Sequence, residues 1–360
     1  MSFPVFMTLY LGVLFLLIYA PTYFARSYLI KGEAHKALRL YRYFSPLYSC
    51  FGKRSRATSA YNIAACYSEI GDKKKAVEWL NKALPLLKGA NRPGFLQYYA
   101  VAMALSAFYH AEEGEIQEAD ILAKEARSDI IPKSRMEPSV SYLLAGVAFY
   151  AERFDEAETA LKTMMEPSQY LLVGMKACTY SLLGSCAYYQ GRFAEALQNQ
   201  ILAEKSGASS PRLQSVFLAN QVIDATDSGD RMAAQQAEAN LIQLLQNLEE
   251  AACSHPYRAL STLALARGDL DRALDYAERG YNQHATKREL ANSLYLQASV
   301  YAQRKNYARA LQLIEEAETY PNFTLYRERL ANLRREVEAA PLKLEGARPQ
   351  DELGAENNTL

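Results

Sequence analysis

The sequence predicts an all-α protein built from repeated helical hairpins. Pairs of short amphipathic segments, separated by Gly-Asp-like turns, recur along almost the whole chain. No stretch alternates apolar and polar residues over the length of a strand. One alanine returns every 37 to 43 residues, at Ala37, Ala76, Ala119, Ala157, Ala196, Ala234, Ala273 and Ala310. Because each hairpin buries its apolar face only against its neighbours, the predicted architecture is a single solenoid.

Residues 57–84 show the repeating unit most clearly. The first arm covers residues 57–70 and the second covers residues 73–84. Gly71 and Asp72 separate them, since glycine reaches left-handed backbone angles at little cost and aspartate caps the helix that follows. The apolar positions of the two arms are Ala60, Ile63, Ala64, Tyr67, Ala76, Leu80 and Ala83. Their spacing puts them on one face of each helix.

These positions follow in order the tetratricopeptide pattern W-x2-L-G-x2-Y, A-x3-F and P, which the chain resembles over about residues 21 to 320. A second match consists of Tyr180, Leu183, Gly184, Ala187, Ala196 and Ala203. The repeat is about 39 residues long instead of ~34, and the leading tryptophan is absent. Gln200 and Glu238 replace a large apolar residue of the second helix. The resemblance implies a right-handed superhelical solenoid of about eight helix-turn-helix hairpins.

Residues 1–25 are predicted to form a transmembrane anchor. Positions 3–20 carry no charge, and the uncharged run continues to Ala25. A helix of this length, rising about 1.5 Å per residue, crosses a ~30 Å hydrocarbon layer. A cleaved signal peptide is the main alternative, but no basic residue precedes the run and Pro21 follows the candidate cleavage site. An unusually apolar first helix of the solenoid is the third interpretation.

Basic residues after the apolar run predict the orientation of this anchor. Between positions 26 and 56 the chain has eight basic residues and one acid, Glu33. The positive-inside rule then predicts a single-pass membrane protein with its solenoid in the cytoplasm. Seven of the basic residues are also candidates for contact with lipid headgroups: Arg26, Lys31, Lys36, Arg39, Lys53, Arg54 and Arg56. A topology signal alone explains the cluster equally well.

The solenoid is predicted to cover residues 26–340 and to end in a capping helix. Residues 325–339 place leucines and a valine in one stripe among many charges. A terminal helix needs this pattern, because one face packs on the last repeat and the other meets water. Residues 341–360 lack aromatics and periodicity, so they are predicted to be a disordered tail.

The chain has no recognisable catalytic or metal-binding motif. Its four histidines are far apart, and no HExxH pair, glycine-rich phosphate loop or G-x-S-x-G elbow occurs. The five cysteines form no CxxC pair, so neither a zinc site nor a disulfide framework is predicted. The 40 basic and 40 acidic residues balance, which argues against general nucleic-acid binding. We therefore expect no catalysis, no cofactor and no nucleic-acid partner.

The predicted binding surface is the concave face of the superhelix. In the family that the chain resembles, the first helix of each hairpin lines this face and holds peptides. That resemblance gives eight aromatic candidates: Tyr61, Phe108, Tyr142, Phe149, Tyr150, Tyr188, Tyr189 and Tyr295. The alternative is that these rings pack between neighbouring hairpins. The earliest repeats have Ala65 and Ala104 where co-chaperones of the family carry polar clamp residues, so a client with an aromatic or apolar segment is favoured.

Together these features predict a membrane-anchored scaffold or adaptor. Its cytoplasmic solenoid would bind other proteins or peptides on the concave face. The main alternative is a periplasmic or secreted binding module that acts in assembly of the cell envelope. An enzyme hidden within a repeat scaffold is a third hypothesis, and no residue of the chain supports it.

Overall fold

The computed structural model describes residues 20–29, 31, 33–50, 52–88, 93–132, 134, 136–165, 173–207, 210–248, 253–282 and 285–346. Every regular element in these ranges is a helix, which confirms the all-α fold class for this part of the chain. The helices are α1 (20–29), α2 (Ala34–Cys50), α3 (Lys53–Ile70), α4 (Lys73–Leu87), α5 (Pro93–Glu112), α6 (Ile116–Asp129), α7 (Glu137–Tyr150), α8 (Phe154–Met165), α9 (Val173–Tyr189), α10 (Phe193–Lys205), α11 (Pro211–Ser228), α12 (Arg231–Leu245), α13 (Ser254–Ala266), α14 (Leu270–Gly280), α15 (Lys287–Gln303), α16 (Tyr307–Glu318) and α17 (Thr324–Gly346).

Consecutive helices pair into hairpins, and the hairpins stack. From α3 with α4 to α15 with α16, each first helix packs against the second helix of its own hairpin. First helices of successive hairpins also meet, as α5 meets α7 and α11 meets α13. The inner layer of the solenoid therefore consists of first helices.

A left-handed residue forms the turn inside most hairpins. Five of these residues are glycines with φ between 78° and 95°: Gly71, Gly114, Gly191, Gly229 and Gly268. Glu152 (φ 60°) and Lys305 (φ 59°) stand at the equivalent place in two other hairpins. In four hairpins the side chain of the residue just before the second helix accepts a hydrogen bond from the backbone N–H three positions later. These N-cap residues are Asp72, Asp230, Asp269 and Asn306. The Gly-Asp-like signature is thus a turn followed by a helix cap.

The recurring alanines hold the two helices of each hairpin close together. All eight of them are at most 2% exposed. Protein interiors are packed as densely as organic crystals, so a larger side chain at these positions would push the helix axes apart. The regular spacing seen in the sequence is the spacing of these helix contacts.

The solenoid closes on itself, so that late repeats touch early ones. Lys73 at the start of α4 lies 2.8 Å from the carboxylate of Glu112 and 3.7 Å from that of Glu289 in α15. Arg288 donates a hydrogen bond to the carbonyl oxygen of Tyr150, 138 residues away (2.9 Å). These contacts enclose a space at the centre of the molecule.

The last helix, α17, caps the solenoid and differs from its prediction at both ends. Leu330, Leu333 and Val337 pack on the last hairpin. In the first turn Tyr326 is only 4% exposed and packs toward the centre of the molecule as well as against the end of the solenoid. The helix also continues through Gly346, past the predicted boundary at residue 340, since Pro341 removes one backbone hydrogen bond but keeps a helical φ. Residues 347–360 of the predicted tail lie outside the described residues.

The prediction of a single-pass membrane protein is corrected. Among the described helices, none is both long and apolar enough to cross a bilayer. The described end of the predicted anchor, residues 20–25, belongs to α1, where Ala25 is fully buried in the same core as Ala37. Residues 1–19, which make up the rest of the predicted anchor, lie outside the described residues.

A central cavity lined by aromatic and charged side chains

A cavity of about 430 Å³ lies at the centre of the solenoid. First helices from α3 to α15 supply nearly all of its wall, and Lys73, Thr286 and Phe323 complete it. Small-molecule sites in proteins span roughly 300–1,000 Å³, so this volume suits a bound ligand. The first helices therefore line a pocket at the centre of the array.

Six of the eight aromatic candidates line this cavity. They are Phe108, Tyr142, Phe149, Tyr150, Tyr188 and Tyr189. Two of the six, Phe149 and Tyr188, are only 5% and 4% exposed and also pack as core residues. The other two lie outside the wall, because the Tyr61 ring packs edge-on against Tyr98 and the Tyr295 ring against Tyr326.

The seven lipid-headgroup candidates are all exposed and lie on α1, in the link after it, on α2 and on α3. Of these residues, Lys36 forms an ion pair with Glu33 at 2.9 Å. None of the seven lines the cavity. Their predicted role in lipid contact depends on the membrane anchor.

His255 is held neutral in the wall formed by α11 and α13. Arg258 Nη2 lies 2.7 Å from His255 Nδ1, and the Oδ1 atom of Asn220 lies 2.8 Å from His255 Nε2. Because a guanidinium only donates, Nδ1 is the acceptor and the proton sits on Nε2. Burial, followed by the positive charge of Arg258, lowers the pKa of His255 to about 3.

Asp224 in the same wall is 3% exposed. Burial, reinforced by the nearby carboxylate of Asp227, raises the pKa of Asp224 well above its ordinary value. Its Oδ2 atom has no hydrogen-bond partner among the described residues. The raised pKa favours the protonated form of the carboxyl, which donates as well as accepts a hydrogen bond.

Other residues of the wall also carry buried polar atoms without a partner in the described chain. These atoms are Glu69 Oε1, Glu112 Oε2, Arg258 Nε, Arg288 Nε and Arg288 Nη1. They include both donors and acceptors. Leaving such a group unpaired costs about 1–3 kcal/mol, so their concentration around one cavity requires an explanation.

The segment before α17 inserts into the centre of the molecule. Phe323 is 4% exposed, and its ring centroid lies 4.0 Å from that of Tyr189 and 5.1 Å from that of Phe149. The guanidinium carbon of Arg288 lies 4.4 Å from the Phe323 ring centroid. The chain therefore fills one side of the cavity with its own aromatic side chain.

Polar contacts hold the first turns of α17 in place. Arg258 Nη1 donates to the hydroxyl of Tyr326 (3.2 Å). Arg329 donates to the hydroxyl of Tyr188 (3.1 Å) and to the carboxylate of Asp227 (2.9 Å). The Tyr188 hydroxyl in turn donates to Asp227 (2.7 Å). These contacts tie the end of the solenoid to α9, α11 and α13.

Sequence reasoning missed Arg258, Arg288 and Phe323. Each reaches the cavity only because the solenoid closes, which no local pattern predicts. One signal was available for Arg258, which stands in a first helix among apolar residues that face inward, where a charged side chain is unusual.

No family model and no curated protein matches the chain. The structure is similar to a Rap protein crystallised with competence and sporulation factor, with a TM-score of 0.62 and 14% identity over 82% of this chain and 81% of that one. It is also similar to a tetratricopeptide repeat protein from Parabacteroides merdae, with a TM-score of 0.47 and 15% identity over 78% of this chain and 98% of that one. A third similar structure is yeast Tom70, with a TM-score of 0.43 and 18% identity over 86% of this chain and 61% of that one. At this identity the likeness to the Rap protein shows the fold. The chain is a tetratricopeptide-like helical solenoid.

Proposed function

We propose that this chain is a scaffold that binds a protein segment or peptide in its central cavity. The observation that carries the proposal is the wall of that cavity, which combines aromatic rings with unpaired donors and acceptors. A polypeptide main chain offers N–H and C=O groups in alternation, so it matches a wall that presents both kinds of polar group. The rings supply contact area at low entropic cost.

The similarity to the Rap protein supports a binding role. The structure of that protein is a complex with competence and sporulation factor, so the same fold accommodates a ligand there. We propose binding without catalysis for this chain.

A peptide selection tests the proposal. A displayed library of random peptides is selected on the immobilised full chain, and each enriched peptide is titrated by calorimetry. Val216→Trp fills the cavity from α11, whereas Met232→Trp adds the same ring at a position of α12 that is 84% exposed. We expect enriched peptides to bind Met232→Trp like the native chain and Val216→Trp at least about tenfold more weakly.

Two results contradict the proposal. One is that no peptide is enriched on the native chain. The other is that the enriched peptides bind Val216→Trp as tightly as Met232→Trp, which would place their site outside the cavity. Thermal melts of both variants confirm that each is folded before its affinity is compared.

A further inference from the structure

Three arginines in the cavity wall have no carboxylate partner in the described chain. Arg212, Arg258 and Arg288 all line the cavity, and no described carboxylate oxygen lies within 4.0 Å of their guanidinium nitrogens. Arg329, by contrast, is paired with Asp227 at 2.9 Å. Arg258 and Arg288 are each only 7% exposed. A buried charge without a counterion is costly. Arg258 and Arg288 would therefore be stabilised by an anion that comes from outside the described chain.

Aromatic rings lie beside the guanidinium groups of the two buried arginines. The guanidinium carbon of Arg288 lies 4.4 Å from the ring centroid of Phe323 and 5.5 Å from that of Tyr150. That of Arg258 lies 5.9 Å from the centroid of Tyr326. A contact between a guanidinium and an aromatic ring does not replace hydrogen bonds to the N–H groups of the guanidinium.

The N–H edges of these arginines are only partly used. Nη2 of Arg288 donates to the carbonyl oxygen of Tyr150, but its Nε and Nη1 have no partner among the described residues. Arg258 uses Nη1 and Nη2 on Tyr326 and His255, and its Nε has no partner. A carboxylate forms two parallel hydrogen bonds with such an edge.

We propose that Arg212, Arg258 and Arg288 form an anion subsite that takes a carboxylate of the ligand. This inference rests on the proposed function and specifies the chemistry of the ligand. The unpaired nitrogens of Arg258 and Arg288 are buried, so a ligand reaches them once each guanidinium turns toward the cavity. Arg212 is partly exposed and makes the first contact.

Carboxylates in the wall disfavour a dianion. Burial lowers the pKa of His255 to about 3 and raises the pKa of Asp224. The other charged groups of the wall are four cations and three carboxylates: Lys73, Arg212, Arg258, Arg288, Glu69, Glu112 and Glu289. A dianionic phosphate would be repelled by the three carboxylates.

Acetate and inorganic phosphate are the direct probes of the subsite. The Nε–H resonances of Arg258 and Arg288 in the full chain are followed by NMR at constant ionic strength, with chloride as the reference anion. We expect saturable shifts with acetate, weaker binding of phosphate, and no response of Arg267, an outward arginine paired with Glu238 at 2.7 Å. Absence of a saturable acetate shift, or tighter binding of phosphate, overturns the proposal.

Synthetic heptapeptide libraries separate the sources of the carboxylate. One library has free C-termini and no Asp or Glu, one has amidated C-termini with Asp and Glu, and one has no carboxylate at all. Peptides retained by the full chain are counted by mass spectrometry. We expect one of the first two libraries to be retained at least about tenfold better than the third.

Arg288→Lys tests the subsite itself, because lysine keeps the charge needed for folding but lacks the two-pronged edge. We expect this variant to lose the preference for carboxylates, whereas Arg267→Lys keeps it. Equal retention of all three libraries overturns the subsite and leaves the proposed function standing. Acetate binding without retention of any peptide supports the subsite as one for small organic acids and overturns the proposed function.

Discussion

At the scale of single residues, the backbone angle of one position decides how each hairpin turns. Glycine holds that position in five hairpins, where it adopts a left-handed conformation without strain. Lys305 adopts the same conformation at φ 59°, although a Cβ atom makes it unfavourable by roughly 1–2 kcal/mol. Lys305 is exposed, so its side chain gives little packing in return.

We predict that Lys305→Gly stabilises the protein by about 1 kcal/mol, because glycine removes this strain at the cost of a more flexible unfolded chain. Gly268→Ala is the matched control, because it introduces a Cβ atom at the equivalent turn position and is expected to lower the stability. Gly268 has φ 78° and an added Cβ meets no atom within 4 Å, so the loss of about 1 kcal/mol comes from the backbone alone. Urea denaturation measures both changes. A stabilising Gly268→Ala would contradict the account of the turn.

At the scale of elements, α15 begins with a cap that also takes part in closure. The hydroxyl of Thr286 accepts a hydrogen bond from the backbone N–H of Glu289, and the Glu289 carboxylate accepts one from the N–H of Thr286 (2.8 Å). The same carboxylate lies 3.7 Å from the ammonium group of Lys73. One helix cap therefore orients the residue that joins α15 to α4.

We predict that Thr286→Ala costs more stability than Asn306→Ala. Asn306 caps α16 through the N–H of Arg309 alone, so its loss costs about 1 kcal/mol. Thr286→Ala removes the cap and also the hydrogen bond from the Thr286 hydroxyl to the Glu289 carboxylate (3.0 Å), which weakens the hold on Glu289 beside Lys73, for a total of about 2 kcal/mol. Urea denaturation compares the two variants. Equal losses would show that the cap and the closure are independent.

The sequence predicted the elements better than it predicted their assembly. Helices, turns and caps follow from patterns within about 40 residues, and the alanine ladder marked the hairpin contacts correctly. Closure depends on small rotations that accumulate over many hairpins, so the contact between Arg288 and Tyr150 has no local signal. The rule that first helices line the concave face placed Tyr142 and Tyr189 in the cavity wall but also selected Tyr61, which packs on Tyr98. The membrane prediction rested on composition alone.

At the scale of the whole molecule, closure joins the early and late repeats through a half-buried charge cluster. Burial by itself would raise the pKa of Glu289, but the charge of Lys73 and the hydrogen bonds from Thr286 outweigh it and lower the pKa to about 2. The unfolded value is 4.5. A carboxylate whose pKa falls on folding stabilises the protein above its unfolded pKa and loses that contribution as the pH falls toward its folded pKa.

We predict that Glu289→Gln destabilises the protein by on the order of 2 kcal/mol at pH 7. The difference from the native chain should persist down to about pH 5 and fall by more than half by about pH 3, as the unfolded carboxyl becomes protonated. Urea denaturation between these pH values measures it. A difference that stays constant over the whole range would mean that the ionised carboxylate does not hold the closure.

Photo-crosslinking tests the central claim, that ligands bind inside the closed solenoid. Benzoylphenylalanine replaces Tyr142, which lines the cavity, or Tyr281, which is 37% exposed outside it, in the full chain. Each variant is irradiated with the tightest peptide from the selection. We expect a crosslink from position 142 that excess unlabelled peptide abolishes, and none from position 281. A competable crosslink from position 281, with none from position 142, would contradict the claim.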